Sequence, residues 1–196
     1  FGLPCHIYAI DRMAREREVR ENLILIDLFC HGCPSMLLWN ANVKYVQEKM
    51  KVDIFDTVNF RSKKYGWHEF CESFTKGNNE LVSKGGLTPF YQLFFSNHLL
   101  NEACNECKLR GTLAYTDIRL GDFWGREYDE DKEGVSAVVA VTEIGEKLLG
   151  KLSCDVFIKE HQLDEICKEQ SYNKTYLVNN NIRKKILILS NKRFEL

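Results

Sequence analysis

The chain has 196 residues, 44% hydrophobic and 28% charged. This is ordinary globular composition, which excludes wholesale disorder and leaves enough chain to bury a sizeable core. Its 27 Lys+Arg against 28 Asp+Glu give a formal charge of −1, without the basic excess of a nucleic-acid binder, and no apolar run approaches the roughly 20 residues of a membrane span.

The chain opens at Phe1-Gly2-Leu3-Pro4-Cys5, without Met and inside a turn-like motif, which reads as a piece cut from a longer protein. No basic region followed by an apolar stretch marks a signal peptide. Residues 8–17 read as a charged helix. Residues 23–29, Leu-Ile-Leu-Ile-Asp-Leu-Phe, form an apolar run of buried-strand length. Pro34 then opens a helix to about residue 50, with Leu37, Leu38, Ala41, Val43, Tyr45, Val46 and Met50 on its apolar face. Residues 52–60 and 67–74 read as strands joined by a basic turn at 62–66. Gly85-Gly86 breaks the chain, and Thr88-Pro89 caps a helix through residue 100. A strand at 116–120, a turn at 121–125 and a solvated acidic loop at 127–133 follow. Then come a strand at 135–141, a helix from Thr142 to about 151, a strand at 155–159 and a helix at 161–169. The basic, Asn-rich segment 181–193 reads as a solvated helix or arm. Interleaved helices and strands predict an α/β or α+β fold, a mixed sheet flanked by helices in a single domain.

Eight cysteines, at 5, 30, 33, 71, 104, 107, 154 and 167, make up about 4% of the chain. A small disulfide scaffold would carry roughly 8–10%. With no secretion signal the expected setting is reducing and cytoplasmic, so the thiols call for metal binding, redox chemistry or burial. Cys71, Cys154 and Cys167 stand among apolar or helical neighbours and read as small buried hydrophobes. Cys30-x-x-Cys33 lies at a strand end with a helix directly after it, the placement of a thiol–disulfide active site. A c-type haem site is excluded because Pro34 follows Cys33. Cys104-x-x-Cys107 lies in a loop. Some 70 residues separate the two pairs, against the ~12–20 of a zinc finger or ribbon. Cys5, Cys30, Cys104 and Cys107, from three loops, are a donor set that suits a cubane iron–sulfur cluster. His6 and His31 flank cysteines and read as surface or hydrogen-bonded residues. Arg61, Lys63 and Lys64 beside Trp67 are candidates to hold an anionic cofactor, and equally a charged hairpin. Asp122 and Trp124 sit between Gly121 and Gly125, either aimed at a site or following backbone geometry. Neither a GxGxxG nor a GxxxxGK[ST] pattern is present.

Several stretches together resemble one family. Gly2-Leu3-Pro4-Cys5-His6 is similar to a GTPCQ-type turn, and Asp27-Leu28-Phe29-Cys30-His31-Gly32-Cys33-Pro34-Ser35 to a DLxCHGxPS segment. Phe60-Arg61-Ser62-Lys63-Lys64-Tyr65-Gly66-Trp67 resembles an FRDKxxGW segment. Phe95-Ser96-Asn97, Ala103-Cys104-Asn105-Glu106-Cys107-Lys108 and residues 116–125 resemble an FLSN…SCYxCKF…SDITLGDFWG block. The order and spacing are those of the C-terminal domain of the coenzyme F420 hydrogenase/dehydrogenase beta-subunit family, across about residues 1–140 and more loosely to the end.

The resemblance implies an iron–sulfur flavoprotein oxidoreductase. Such a protein carries FAD and a 4Fe-4S cluster and passes electrons to a redox partner, such as a ferredoxin-like domain or hydrogenase or dehydrogenase subunits. It implies Cys5, Cys30, Cys104 and Cys107 as cluster ligands. Arg61 and Lys63 are the candidates to pair with a flavin phosphate, and Asp122 and Trp124 to line its pocket. It also implies that the family's N-terminal ferredoxin-like domain lies outside this sequence. The chain departs from the pattern at Cys33, where an apolar residue is usual, at His6 in place of Gln, and at Leu99 and Asn101 in place of Cys and Arg. Two readings of another class stand beside it: a structural metal-binding or docking domain of a redox complex, and dithiol exchange at Cys30 and Cys33.

Overall fold

A computed structural model describes residues 1–84, 89–152 and 155–194, with side chains described through residue 188. The expected break at Gly85-Gly86, the Thr88 cap and Cys154 lie outside the described residues. In chain order the elements are α1 (Pro4–Glu16), β1 (Ile26–Leu28), α2 (Met36–Met50), β2 (Thr57–Asn59), β3 (Glu72–Lys76), β4 (Asn79–Ser83), α3 (Pro89–Phe95) and α4 (Glu102–Asn105). They continue with β5 (Ile118–Asp122), β6 (Ser136–Ala140), α5 (Glu143–Leu152), α6 (Leu163–Lys168) and α7 (Asn180–Phe194). The fold is mixed α/β, as the interleaved pattern predicts. The chain forms two compact units, one of residues 1–31, 107–129 and 135–174, the other of residues 32–106, 130–134 and 175–196.

The first unit is built on the sheet β1-β5-β6, with β1 parallel and β6 antiparallel to β5. The register sets Ile26 opposite Ile118, Asp27 opposite Arg119 and Leu28 opposite Leu120. Asp27 and Arg119 are both fully buried, and the guanidinium meets the carboxylate through two hydrogen bonds of 2.8 and 2.5 Å. A charge inside an apolar strand is tolerable only when paired, and the ladder itself delivers the partner. Pro4 opens α1, whose missing N–H costs nothing there. Pro4, Ile7, Asp11 and Ala14 form its buried stripe, and Ile7 packs with Leu25 and Tyr115. Arg15 and Arg20 each reach Asp11 at 2.8 Å. Buried Asp117 accepts from Arg20, from the Leu25 backbone N–H at 2.7 Å and from the Thr142 hydroxyl at 2.8 Å. That carboxylate fixes the entry to β1, the start of β5 and the start of α5 around one point. Gly145 lets α5 lie on β5, because a Cβ there would stand 2.3 Å from the Asp117 carbonyl oxygen.

The second unit is built on the antiparallel sheet β2-β3-β4. Phe74 of β3, fully buried, packs with Val46 and Met50 of α2 and with Trp39, Phe55 and Leu81. A second cluster joins Leu38 of α2, Phe90 and Tyr91 of α3, and Leu99. Ile186 and Leu187 of α7 pack against it, and Arg183 donates to the carbonyls of His98 at 3.1 Å and Leu100 at 2.9 Å.

Several sequence expectations need correction. The strand expected at 155–159 is irregular chain, with Phe157 exposed; without a partner strand its apolar residues have no ladder to join. The tail is a helix, largely exposed over its described side chains but anchored through Ile186 and Leu187. The strand expected at 67–74 begins at Glu72, and β4 was not expected at all. The expected strand 52–60 shortens to β2, and 23–29 to β1. Among the described residues the helix expected through residue 100 ends at Phe95. Gly121 and Asp122 belong to β5 rather than to a turn.

Candidate cysteine site

Cys5 is exposed on the first turn of α1. Cys30 follows β1 and is half-buried, its chain held to the sheet by the Phe29 N–H to the Leu120 carbonyl at 2.8 Å. His31 is fixed in the first unit through its Nδ1 and the Ser171 hydroxyl, 3.1 Å apart. Its carbonyl accepts from Arg110 at 3.0 Å. Arg110 is buried and lies three residues after Cys107, whose carbonyl accepts the Arg110 N–H at 3.4 Å. Arg110 therefore fastens the loop that carries Cys30 to the turn that carries Cys107. Sequence reasoning missed it. A lone Arg beside a CxxC is a weak sequence signal, because its targets are backbone carbonyls that no motif records.

In the second unit Cys33 is exposed and Cys104 half-buried. Pro34 and Leu100 form an antiparallel bridge, flanked by Ser35 N–H to Leu99 O at 2.8 Å and Asn101 N–H to Cys33 O at 2.9 Å. Cys104 sits one turn further on, in α4, and its sulfur accepts the Cys33 backbone N–H at 3.4 Å. Pro34 is thus committed to this bridge. The helix starts two residues later, at Met36, behind an N-cap Ser35 whose hydroxyl accepts the Leu38 N–H. Gly32 eases the approach: at φ +150° a side chain would be strained, and its Cβ would stand 2.9 Å from Leu100 Cδ1.

The cysteines read as ordinary buried thiols divide as follows. Cys71 is fully buried, as expected. Cys167 is half-buried, and its burial pushes the thiol pKa up. It lines an open depression of about 710 Å³ with Leu163, Asp164, Lys168, Tyr172 and Lys174.

Arg61 and Lys63 share the basic turn of the second unit. Arg61 donates to the carbonyls of Trp67 at 2.7 Å and Glu69 at 3.2 Å and lies over the Phe70 ring at 4.6 Å. Lys63 donates to the Glu133 carbonyl. Both cations therefore hold the turn together as it stands. Asp122 and Trp124 belong to the first unit, Asp122 exposed and Trp124 half-buried. The Asp122 carbonyl accepts from Gln170, so the end of β5 is pinned by its backbone.

Four cysteine thiolates are the right donors for an iron–sulfur cluster, and a backbone N–H on a ligand sulfur is the kind of hydrogen bond that tunes one. Among the described residues, no three His, Cys, Asp or Glu side chains are gathered closely enough to hold a metal ion. The donor chemistry fits the group.

The first sheet, with its parallel pair β1 and β5, defines an α/β unit. Residues 1–166 match the family described as the C terminus of the beta subunit in coenzyme F420 hydrogenase/dehydrogenase. The chain belongs to that family. It is a redox domain of the beta-subunit kind, and the sequence resemblance is met over a longer stretch than its motifs span. No curated protein and no solved structure matches the chain. No helix among the described residues is long and apolar enough to cross a membrane.

Proposed function

We propose that this domain passes electrons between a 4Fe-4S cluster, FAD and a reducible cofactor or substrate, in the cytoplasm and in concert with a partner subunit of redox function. Cys5, Cys30, Cys104 and Cys107 would hold the cluster, which supplies one-electron transfer when bound. The observation that carries the reading is the Cys33 N–H directed at Cys104 Sγ, inside a loop that Gly32 and the Pro34–Leu100 bridge hold close. That arrangement suits a sulfur that carries charge. The anchoring of the Cys30 loop by Arg110 supports it in the first unit. Arg61 and Lys63 are proposed to turn toward a flavin phosphate when it binds, exchanging carbonyl acceptors for an anion, with Asp122 and Trp124 along the pocket.

The test is the absorbance spectrum of protein purified and reconstituted without oxygen, with iron, acid-labile sulfide and flavin assayed on the same sample. A brown protein with iron and sulfide in equal amounts, lost on Cys104→Ser, is expected. Colourless protein without iron, or stoichiometric zinc and no flavin, refutes the reading and leaves a structural metal-binding or docking domain.

A further inference from the structure

Cys33 is the cysteine that stands where the family motif has an apolar residue, and the second unit gives it a neighbour. Its backbone nitrogen lies 3.4 Å from Cys104 Sγ although 71 residues separate the two in sequence. One N–Cα bond of about 1.46 Å then puts the Cys33 Cα at most about 4.9 Å from that sulfur. A disulfide joins Cβ atoms about 3.8 Å apart on Cα atoms 4.4–6.8 Å apart, so the sulfur of Cys104 is within bridging reach of Cys33. The two segments are held in this placement by the paired backbone of residues 33–35 and 99–101 and by the Cys104 N–H to the Asn101 carbonyl at 2.8 Å. The Cys33 side chain is exposed, and its sulfur makes a weak contact of 3.7 Å to the Pro34 carbonyl. Rotation about χ1 therefore breaks little.

We propose that Cys33 and Cys104 are a redox-modification pair that closes to a disulfide when no cluster occupies Cys104. The bridge rests on the contact alone and takes from the proposed function only the group that competes for Cys104. The oxidant is a small-molecule disulfide of the glutathione class. The Cys33 sulfur attacks it and releases one reduced thiol. The Cys104 sulfur then displaces the second reduced thiol and forms the protein S–S bond. Two protein thiols are oxidised, one disulfide is reduced to two thiols, and the two protons leave on those thiols. The closed bridge withdraws a ligand sulfur from overoxidation, and a dithiol reductant reopens it. This pairing differs from dithiol exchange within Cys30-x-x-Cys33, because the partner comes from the second CxxC.

The chain is stripped with an iron chelator under reducing conditions, exchanged into oxidised glutathione, alkylated and digested without reduction. The expected result is a thiol count lower by two and a crosslink between the peptides bearing Cys33 and Cys104. Cys33→Ser abolishes the crosslink, whereas Cys30→Ser and Cys107→Ser retain it. A crosslink that survives Cys33→Ser, or a stable glutathione adduct on Cys33 with no bridge, overturns the proposal. Iron content of the unstripped protein is read separately: a bridge in a chain that never binds iron sinks the cluster and leaves the pair standing.

Discussion

Replacing Asp27 by Asn leaves the carboxylate's shape and removes its charge from beneath Arg119. Both side chains are fully inaccessible, and the pair makes hydrogen bonds of 2.8 and 2.5 Å, with a third from Arg119 to the Tyr115 hydroxyl at 3.0 Å. Asn keeps one acceptor and turns its amide donors toward guanidinium donors, so a buried cation stands without its counter-charge. Breaking a buried pair from one side costs about 3–5 kcal/mol, a fifth or more of the roughly 5–15 kcal/mol that holds a domain together. With a urea m-value of about 2–3 kcal/mol/M, the midpoint should fall by roughly 1–2.5 M. The assay is urea unfolding followed by circular dichroism. The double variant Asp27→Leu with Arg119→Met should regain most of the loss, because a well-packed apolar pair of similar volume is close to neutral. An Asp27→Asn midpoint within about 0.3 M of the parent, or a double variant as damaged as the single one, would show that the pair does not matter as argued.

Two glycines of α5 should respond with opposite signs. Gly150→Ala meets nothing within 4 Å and should stabilise by about 0.5–1 kcal/mol from helix propensity. Gly145→Ala meets the Asp117 carbonyl and should destabilise by about 1–3 kcal/mol; thermal melts of both variants check this. Burial pushes the Asp11 carboxyl up, but the hydrogen bonds and charges of Arg15 and Arg20 outweigh it and hold the pKa below 3.8. Its contribution is therefore present above the unfolded value and lost as pH falls through the folded one. Asp11→Asn should flatten the acid limb of a stability–pH curve below about 4, and an unchanged limb would count against the assignment. Burial pushes Tyr91 and Tyr115 up to about 12. In an alkaline absorbance titration two phenolates should appear late, and the stabilisation from their neutral forms is lost as pH rises from about 10 to 12.

Legibility in the sequence followed the origin of each element's stability. β6 and α5 were readable because Val-rich strand and Thr142-capped helix carry their own local signals. β4, Asn-Glu-Leu-Val-Ser, was not, because a polar edge strand is specified by its ladder with β3 rather than by its composition. Residues 155–159 erred the other way, carrying strand-like side chains without a ladder. α7 looked solvated because its Lys and Arg dominate the count, while Ile186 and Leu187 decide where it packs. At the candidate site spacing and motif nominate the four cysteines proposed as donors. Their supports, Arg110 and the Pro34–Leu100 bridge, act through backbone groups that leave no side-chain pattern. Asp27 did leave one: a lone carboxylate in an apolar run announces a buried partner, although Arg119 lies 92 residues away.

The order in which the chain threads its two units limits how it can be made. β1 is synthesised early, yet its ladder partner β5 arrives only after most of the second unit has passed. The second unit in turn waits for α7, made after the whole of the first unit, to cover Leu38, Phe90 and Leu99. Neither unit is a contiguous stretch that a ribosome could release complete, and a stop codon before residue 180 deprives the second unit of its last helix. Nascent chains therefore hold apolar surface exposed until Ile186 and Leu187 have been made.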